Sequence, residues 1–401
     1  MSPPLLPLDE AQARLLALAT PLPVEHADMA SALGHYLAEP LHAHRTQPAA
    51  DLSAMDGYAV APGDLAGPWQ VVGESAAGRP FGGHLQAGEA ARVSTGAVLP
   101  AGAGAVLLQE DITRSGAHIA LTGTAPAPHD RHIRRAGFDF AEGQLLLPAG
   151  TRMGAAQVAL AISGGHGHVA VRRPVRLAIL DSGDELAAPG QPCQPHQIPA
   201  SNGAMLAALV AALPCEITRA GPVADRLELL VAALDGLGAA DVIVTSGGAS
   251  VGDHDLIRPA LEAWGAELDF WKVAMRPGKP LLVARRGRQV ILGLPGNPVS
   301  ALATAYFFLR PLLRKLLGAS QCLPRPICTT LAAPLGAGSG RRDFPRGVWD
   351  GAMVRPLGGR DSSALAELAG ANCLIDRPIG QPALETGKKV NIYLIEPQGF
   401  A

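Results

Sequence analysis

The stretch that decides the fold is Asp241–Thr245 (DVIVT), which runs directly into Ser246–Gly252 (SGGASVG). The apolar run indicates a strand buried on both faces, and the glycines and serines after it indicate a loop at the end of that strand. Similar apolar strands occur at Val175–Leu180 and Val290–Leu294, each followed by a polar loop. Strands that alternate with helices predict a parallel sheet covered by helices on both faces.

The predicted helices lie between and after these strands, at Asn202–Leu213, Asp225–Leu237, Asp255–Trp264 and a long segment from about residue 298. Residues 46–150 and the chain beyond Pro324 instead show short apolar runs between Gly and Pro turns, which is typical of β-rich modules. The predicted fold class is therefore a multidomain α/β protein. It carries an inserted β-rich module and a C-terminal β-barrel-like domain.

Composition excludes several classes of protein. A net charge of -2 without a basic block argues against nucleic-acid binding. The five cysteines match no zinc or redox spacing, so we expect buried or surface thiols in a reducing cytosol. The apolar stretch 301–317 is interrupted by charges and is too short to span a bilayer, and Met1–Leu8 lacks a secretory signal pattern. We therefore expect a cytoplasmic protein without a membrane partner.

The loops after the strands are the candidate binding elements, because ligands of open α/β sheets bind beyond the carboxyl ends of the strands. Backbone N–H groups of Ser246, Gly247, Gly248, Ser250 and Gly252 could hold a phosphate or another oxyanion. In the loop 295–300, Asn297 is expected to cap the next helix, Pro298 suits its first turn and Ser300 lies where the helix dipole favours an anion. The alternative is that Gly and Pro mark ordinary tight turns; three such loops at equivalent strand ends favour a site.

Acidic residues crowd the same loops at Asp184, Glu185, Asp253 and Asp255. Carboxylates beside a phosphate site suit Mg²⁺, which prefers oxygen ligands. They equally suit the first turns of helices, where acids are favoured by the dipole. Spacing alone leaves both interpretations open.

Cations occur in the turn Arg276–Pro280 (RPGKP), where rigid Pro and Gly could hold Arg276 and Lys279 against a dianion. A solvated charged loop is the alternative. A second basic segment, Arg341–Arg346, could supply forked contacts to an oxyanion. The chain contains no Walker A, G-x-S-x-G or H-E-x-x-H pattern, which argues against the hydrolase classes that use them.

Several exact blocks, taken in order, resemble the molybdopterin molybdenumtransferases, the family of bacterial MoeA and the gephyrin E domain. The blocks are Ser53–Val60 (SAMDGYAV), Arg92–Pro100 (RVSTGAVLP), Ser182–Leu186 (SGDEL), Thr245–Gly252, Pro277–Pro280 (PGKP), Gly293–Ser300 (GLPGNPVS) and Asn372-Cys373. They span nearly the whole chain.

The resemblance implies four parts: an elongated domain from residues 1–45 and 145–172, an inserted β-rich domain 46–144, an α/β molybdopterin-binding domain 173–323 and a C-terminal β domain 324–401. It also implies a homodimer whose cleft lies between the α/β domain of one subunit and the β module of the other.

The implied reaction inserts molybdate into adenylylated molybdopterin with Mg²⁺ as cofactor, giving molybdenum-molybdopterin and AMP. The resemblance also implies transient contact with molybdopterin adenylyltransferase and with molybdoenzymes. By motif position, the catalytic residues are Asp56, Thr95, Glu185 and Lys279, further substrate contacts are Asp225, Arg276, Pro298, Ser300 and Arg341, and the metal ligands are Asp139, Asp253 and Asp255.

The sequence departs from the family pattern at several positions. Arg276 stands where lysine is usual, Phe138 where an acid is common, and Asp181 and Ala200 where Thr or Ser and Asp are expected. Residues 362–367 only loosely resemble the family's serine-containing segment. These departures leave room for a non-catalytic paralogue that binds a pterin nucleotide as carrier or scaffold. A separate alternative is an enzyme that inserts tungstate at the same site.

Overall fold

The computed structural model describes residues 5–63, 65–247, 256–359 and 361–395, with the backbone alone at Trp271. The chain forms two compact units. The first comprises Met1–Glu39, Ala149–Met153 and Ala170–Ala401, and the second comprises Pro40–Pro148 and Gly154–Val169.

The helices are α1 (Leu8–Ala17), α2 (Ala155–Ser163), α3 (Asn202–Val210), α4 (Leu227–Gly236), α5 (Ile257–Ala263), α6 (Pro298–Thr304), α7 (Arg310–Leu316) and α8 (Leu365–Ala369). A 3-10 turn covers Gln109–Asp111, and a π-helical turn, Ala305–Leu309, joins α6 to α7.

The strands are β1 (Val24–Asp28), β2 (Leu41–His42), β3 (Leu52–Ser53), β4 (Gly57–Val60), β5 (Trp69–Ser75), β6 (Glu89–Val93), β7 (Ala105–Leu108), β8 (Ile112–Ser115), β9 (His118–Leu121), β10 (Ile133–Arg134), β11 (Leu145–Leu147), β12 (His168–Arg172), β13 (Val175–Ser182), β14 (Leu186–Ala187), β15 (Ile198–Pro199), β16 (Cys215–Val223), β17 (Val242–Ser246), β18 (Glu267–Trp271), β19 (Met275–Arg276), β20 (Leu282–Arg286), β21 (Gln289–Leu294), β22 (Ile327–Leu331), β23 (Arg342–Asp343), β24 (Arg346–Trp349), β25 (Met353–Pro356), β26 (Cys373–Ile375) and β27 (Lys389–Leu394).

The first unit is built on a six-stranded sheet with the order β16-β13-β17-β21-β20-β18. The first four strands are parallel, and β20 runs antiparallel to both of its neighbours. The predicted α/β sheet is thus confirmed, with one antiparallel strand added. The edge strand β16 was not predicted, because its residues alternate between exposed and half-buried and give no apolar run.

Both faces of this sheet are covered, which explains the continuous apolar run in β17. Leu177, Ile179 and Val244 belong to the larger core. Ala178 and Ile243, which point the other way, belong to a second core with residues of α4 and α5. Each large aliphatic side chain buried in this way contributes about 1.5–3 kcal/mol relative to exposure.

The C-terminal part of the first unit contains a closed barrel with the order β22-β25-β24-β26-β27, which confirms the predicted β-barrel-like domain. The barrel region is tied to the α/β sheet by a short parallel pairing of β19 with β23. In that pairing, Met275 lies opposite Arg342 and Arg276 lies opposite Asp343.

The second unit contains a separate six-stranded sheet with the order β7-β4-β6-β5-β9-β8, as the β-rich pattern predicted. Gly57 begins β4, and a Cβ atom there would clash with the carbonyl oxygen of Leu107 on β7. The four-part division of the chain stays a prediction. Across the described residues, no helix has both the length and the apolar character needed to cross a bilayer.

Candidate functional site

Three strand ends meet at one edge of the α/β sheet. In register, Asp181 of β13 lies opposite Ser246 of β17, and Ser246 lies opposite Leu294 of β21. The loops that leave these strands therefore begin side by side, as expected of parallel strands.

Asn202, the first residue of α3, links two of these loops. Its side-chain amide donates to Ser246 Oγ at 2.8 Å and to the carbonyl oxygen of Gly296 at 2.6 Å. The sequence analysis did not assign Asn202 to the site. The available signal was its position at a helix start between two strand-end loops.

The strand ends also contain buried hydroxyl groups that lack a partner. Ser182 Oγ and Thr245 Oγ1 are buried and make no hydrogen bond within the described residues. Gly247 has φ +103°, and a Cβ atom there would clash with the carbonyl oxygen of Ser182. The loop therefore requires glycine at this position. The remaining predicted residues of this loop, Gly248, Ser250, Gly252, Asp253 and Asp255, lie outside the described residues.

The N-terminus of α6 is arranged differently from the expectation. Asn297 occupies the N-cap position and Pro298 the first turn, but the Asn297 side chain makes no capping bond. Its Nδ2 instead donates to Ser362 Oγ at 2.9 Å, and the Val299 N–H donates to the Ser362 carbonyl oxygen at 3.0 Å. The capping prediction for Asn297 was wrong, because Ser362 from the C-terminal part covers this helix end. Ser300 is buried within the same turn.

Three acids gather near the end of β13. Asp184 Oδ1 accepts a hydrogen bond from the Asp225 N–H at 3.1 Å. Burial raises the pKa of Asp225, and the negative charges of Asp184 and Glu185 raise it further. Even so, no group of three or more His, Cys, Asp or Glu side chains in the described part of the chain is arranged to hold a metal ion.

The cationic turn that follows β19 is fixed by its neighbours. The Arg276–Pro277 peptide is cis, and Gly278 has φ +103° with its Cα packed toward Thr304 of α6. Lys279 is exposed, and its carbonyl oxygen accepts a hydrogen bond from Val273. Turn and helix are therefore held together, with both cations at the surface of the first unit.

A cavity of about 270 Å³ lies beside this turn, where the α/β sheet meets the C-terminal region. Its charged lining residues are Arg276, Asp343, Arg346, Asp361 and Arg377. Val299 and Ser362 also line it, so that the cavity adjoins the N-terminus of α6. Arg276 Nη2 donates to Asp343 Oδ2 at 2.7 Å.

Arg341 lies next to this cavity without lining it. Its Nη1 donates to the carbonyl oxygen of Met275 at 3.4 Å, and its N–H donates to Ser339 Oγ at 3.2 Å. The cavity instead receives Arg346, from the same basic segment, and Arg377. Nothing in the local pattern around Arg377 pointed to a site.

In the second unit, the exposed carboxylate of Asp56 follows β3. Asp56 Oδ1 accepts a hydrogen bond from the Thr95 N–H at 2.7 Å, which joins the two most recognisable N-terminal blocks. Asp139 is exposed and its N–H donates to the carbonyl oxygen of Gln47 at 3.0 Å. Phe138 beside it is 74% exposed.

Comparison with known proteins finds similarity along nearly the whole chain. Residues 6–165 match the model of the MoeA N-terminal region (domain I and II), residues 178–315 match a probable molybdopterin binding domain, and residues 329–395 match the MoeA C-terminal region (domain IV).

Among similar proteins is a molybdopterin molybdenumtransferase of Haemophilus influenzae, 34% identical over 97% of this chain and 98% of the relative. Another, from a Nostoc species, is 35% identical over 91% of this chain and 87% of the relative. A crystal structure of the MoeA molybdopterin biosynthesis protein of Pyrococcus horikoshii superposes with a TM-score of 0.80 at 28% identity, covering 98% of this chain and 100% of that one. The chain belongs to the molybdopterin molybdenumtransferase family.

Proposed function

We propose that this chain inserts molybdenum from molybdate into adenylylated molybdopterin and releases AMP. The curated relatives carry the name of this activity and match the chain almost end to end. The site adds a physical reason, because it combines strand-end loops for a nucleotide with a separate arginine-lined cavity.

The observation that carries the proposal is the position of the cavity. Val299 belongs both to the cavity wall and to the first turn of α6, directly after the loop that ends β21. A small oxyanion in the cavity would therefore lie next to a substrate bound at the strand ends. Arg276 in the wall suits an anion, since a guanidinium group binds oxyanions through several N–H donors.

The pterin nucleotide is assigned to the loops that Asn202 links. The proposed phosphate contacts are the backbone N–H groups of Ser246, Gly248, Ser250 and Gly252. The Gly247 N–H already donates to the carbonyl oxygen of Leu294 at 3.3 Å. Within the described residues the buried hydroxyls of Ser182 and Thr245 have no hydrogen-bond partner, which makes the interior of this sheet edge polar. Asp225, Pro298, Ser300 and Arg341 complete the proposed substrate contacts.

Mg²⁺ is the proposed cofactor, with Asp139, Asp253 and Asp255 as ligands. Three further acids, Asp184, Glu185 and Asp225, lie near the end of β13, and no metal-holding group occurs within the described residues. Mg²⁺ commonly completes its coordination shell with substrate phosphates. When bound, it would polarise the phosphoanhydride.

The protein needs no nucleophile of its own, because the pterin sulfurs become the ligands of molybdenum. Arg276 and Lys279 would offset the charge of molybdate, which lowers the cost of bringing two anions together. Asp56, Thr95, Glu185 and Lys279 are the proposed catalytic residues. Asp56 and Thr95 belong to the β module, residues 46–144, and we propose that they reach this site in a cytoplasmic homodimer. In that dimer, the β module of one subunit would face the α/β domain, residues 173–323, of the other. Transient contact with molybdopterin adenylyltransferase and molybdoenzymes would deliver substrate and remove product.

The test is to incubate the purified protein with adenylylated molybdopterin, molybdate and Mg²⁺. We expect AMP release together with cofactor that activates an apo-molybdoenzyme. Binding of the pterin nucleotide without either product would instead establish a carrier. Competition between molybdate and tungstate in the same assay measures the preference for the oxyanion.

A further inference from the structure

The three arginines of the cavity have unequal freedom to bind a ligand. Arg346 is 3% exposed, and its Nη atoms donate to the carbonyl oxygens of Asp361 and Gly359, at 3.1 and 2.7 Å. Arg377 is 2% exposed, and its Nη atoms donate to Gln381 Oε1 and to the carbonyl oxygen of Gly336. Both guanidinium groups therefore serve to hold loops of the C-terminal region.

Arg276 is the exception. Its side chain is 39% exposed, and within the described residues its side-chain hydrogen bond goes to Asp343. A guanidinium carries five N–H donors, so most of them remain for a ligand. The cavity thus presents one ligand-facing cation, and a carboxylate competes for it.

Asp343 is itself held firmly. Its side chain is 7% exposed, and Oδ1 accepts a hydrogen bond from Ser339 Oγ at 2.8 Å. Its backbone exchanges two hydrogen bonds of 2.9 Å with Arg377. Because these contacts fix it, the carboxylate cannot swing away when an anion enters.

We propose that Asp343 sets the oxyanion affinity of this cavity by keeping a fixed negative charge beside Arg276. The inference rests on the proposed function and adds the residue that limits how tightly molybdate is bound. The lining charges are three arginines and two aspartates, a formal charge of +1. Asp361 is exposed and accepts hydrogen bonds from Ser363, which leaves Asp343 as the buried acid.

Two opposed effects decide whether Asp343 strengthens or weakens the binding of an anion in the cavity. The ion pair orders the Arg276 side chain, which favours binding. The same carboxylate repels a dianion across a partly desolvated cavity, which disfavours it. Arg276 is already fixed at its backbone by the β19–β23 pairing, so the ordering gain is small, and the repulsion between close like charges outweighs it. Weak binding has a use, since molybdate must leave the cavity for the pterin sulfurs and abundant dianions such as sulfate must not block it.

The test is isothermal calorimetry of molybdate and of sulfate binding to the full chain. We expect Asp343→Asn to lower the Kd for both anions at least tenfold, and to lower both the KM for molybdate and kcat, because the cargo is held more tightly. Asp343→Glu, which keeps the charge, should stay within about threefold of the unsubstituted protein. Since damage to the fold does not tighten binding, the direction of the change separates this role from a structural one.

Asp376→Asn is the matched control. Asp376 is also buried and pairs with Arg342 through two hydrogen bonds of 2.8 Å, yet it does not line the cavity. It should lose stability without gaining oxyanion affinity. If Asp343→Asn does not fold, Asp343→Ser removes the same charge and leaves a hydroxyl as acceptor for Arg276.

The two proposals fail separately. An inactive unsubstituted protein in the AMP assay would overturn the proposed function. An active unsubstituted protein whose Asp343→Asn variant, or Asp343→Ser in its place, binds molybdate no more tightly would overturn the role of Asp343.

Discussion

The side-chain amide of Asn202 lies 2.8 Å from the hydroxyl oxygen of Ser246, and the same amide reaches the carbonyl oxygen of Gly296 at 2.6 Å. One residue at the start of α3 thus holds the ends of β17 and β21 in a fixed relation.

Replacing Asn202 with alanine should affect both stability and substrate binding. Loss of one hydrogen bond to the buried Ser246 and one to the exposed Gly296 predicts a decrease of about 1–3 kcal/mol in the free energy of unfolding. Release of the two loops predicts a several-fold higher KM for adenylylated molybdopterin. Urea unfolding and steady-state AMP release measure the two effects.

The control for that variant is Asn372→Ala in the barrel. Asn372 exchanges two 2.8 Å hydrogen bonds with the backbone of Trp349. Its loss should lower stability to a similar degree and leave the KM unchanged. Equal KM values for the two variants would show that Asn202 is merely structural.

Asp56→Asn should lower kcat more than tenfold while leaving the fold intact. In the unsubstituted protein the Thr95 N–H lies 2.7 Å from the Asp56 carboxylate. The substitution keeps an oxygen acceptor for this N–H and removes only the charge. Asp350→Asn provides the comparison, because Asp350 is likewise an exposed acid that accepts backbone N–H groups, from Ala352 and Met353. Full activity in Asp56→Asn would show that this carboxylate takes no part in the reaction.

The raised pKa of Asp225 determines how its contribution to the free energy of unfolding changes with pH. Burial, followed by the neighbouring acids, raises its pKa above 3.8 in the folded chain, so its ionised form is disfavoured there. It therefore costs stability at neutral pH, and the cost disappears as the pH falls through the raised folded value toward 3.8. Asp225→Asn should raise the free energy of unfolding at pH 7 by less than about 1 kcal/mol, since solvent screens a group that is only partly buried.

Denaturant unfolding at pH 7 and at pH 4.5, without divalent cations, measures this effect. Glu228→Gln is the matched variant, an exposed acid in the first turn of α4. It should bring no gain, because an acid at a helix N-terminus is favourable. A loss of stability in Asp225→Asn at pH 7 would contradict the assigned environment.

The thiols should react in two groups. Cys193 and Cys328 are exposed, whereas burial raises the pKa of Cys215 and of Cys373 to about 12. Because the thiolate is the nucleophile, iodoacetamide at pH 8 should modify Cys193 and Cys328 well before the partly buried Cys215 and the buried Cys373. Peptide mass spectrometry reads out the order, and rapid labelling of Cys373 would contradict the closed barrel around it.

The sequence predicted the features that depend on local pattern. The apolar runs of β13, β17 and β21 located the sheet, and the glycines located the loops. It did not predict β16, whose strand conformation comes from pairing with β13 rather than from its own residues. Strand pairing of this kind is a tertiary effect that overrides local preference.

The residues around the cavity show the same limit of prediction from local sequence. Arg276 was assigned from its own motif, but its partner Asp343 lies 67 residues away and Ser362 covers a helix end 65 residues before it. The sequence shows which charged residues are present but not which of them pair in the folded chain. For that reason the Asn297 capping prediction failed, and Arg346 and Arg377 could not be separated from Arg276 by their roles.

The pairing of β19 with β23 has a consequence for protein engineering. Because Arg276 and Asp343 meet through both backbone and side chains, neither half of the pocket can be exchanged alone. A chimera that took only its barrel from a relative would separate Asp343 from Arg276 and lose this ion pair. Grafts should therefore carry residues 274–280 along with the segment that begins at 339.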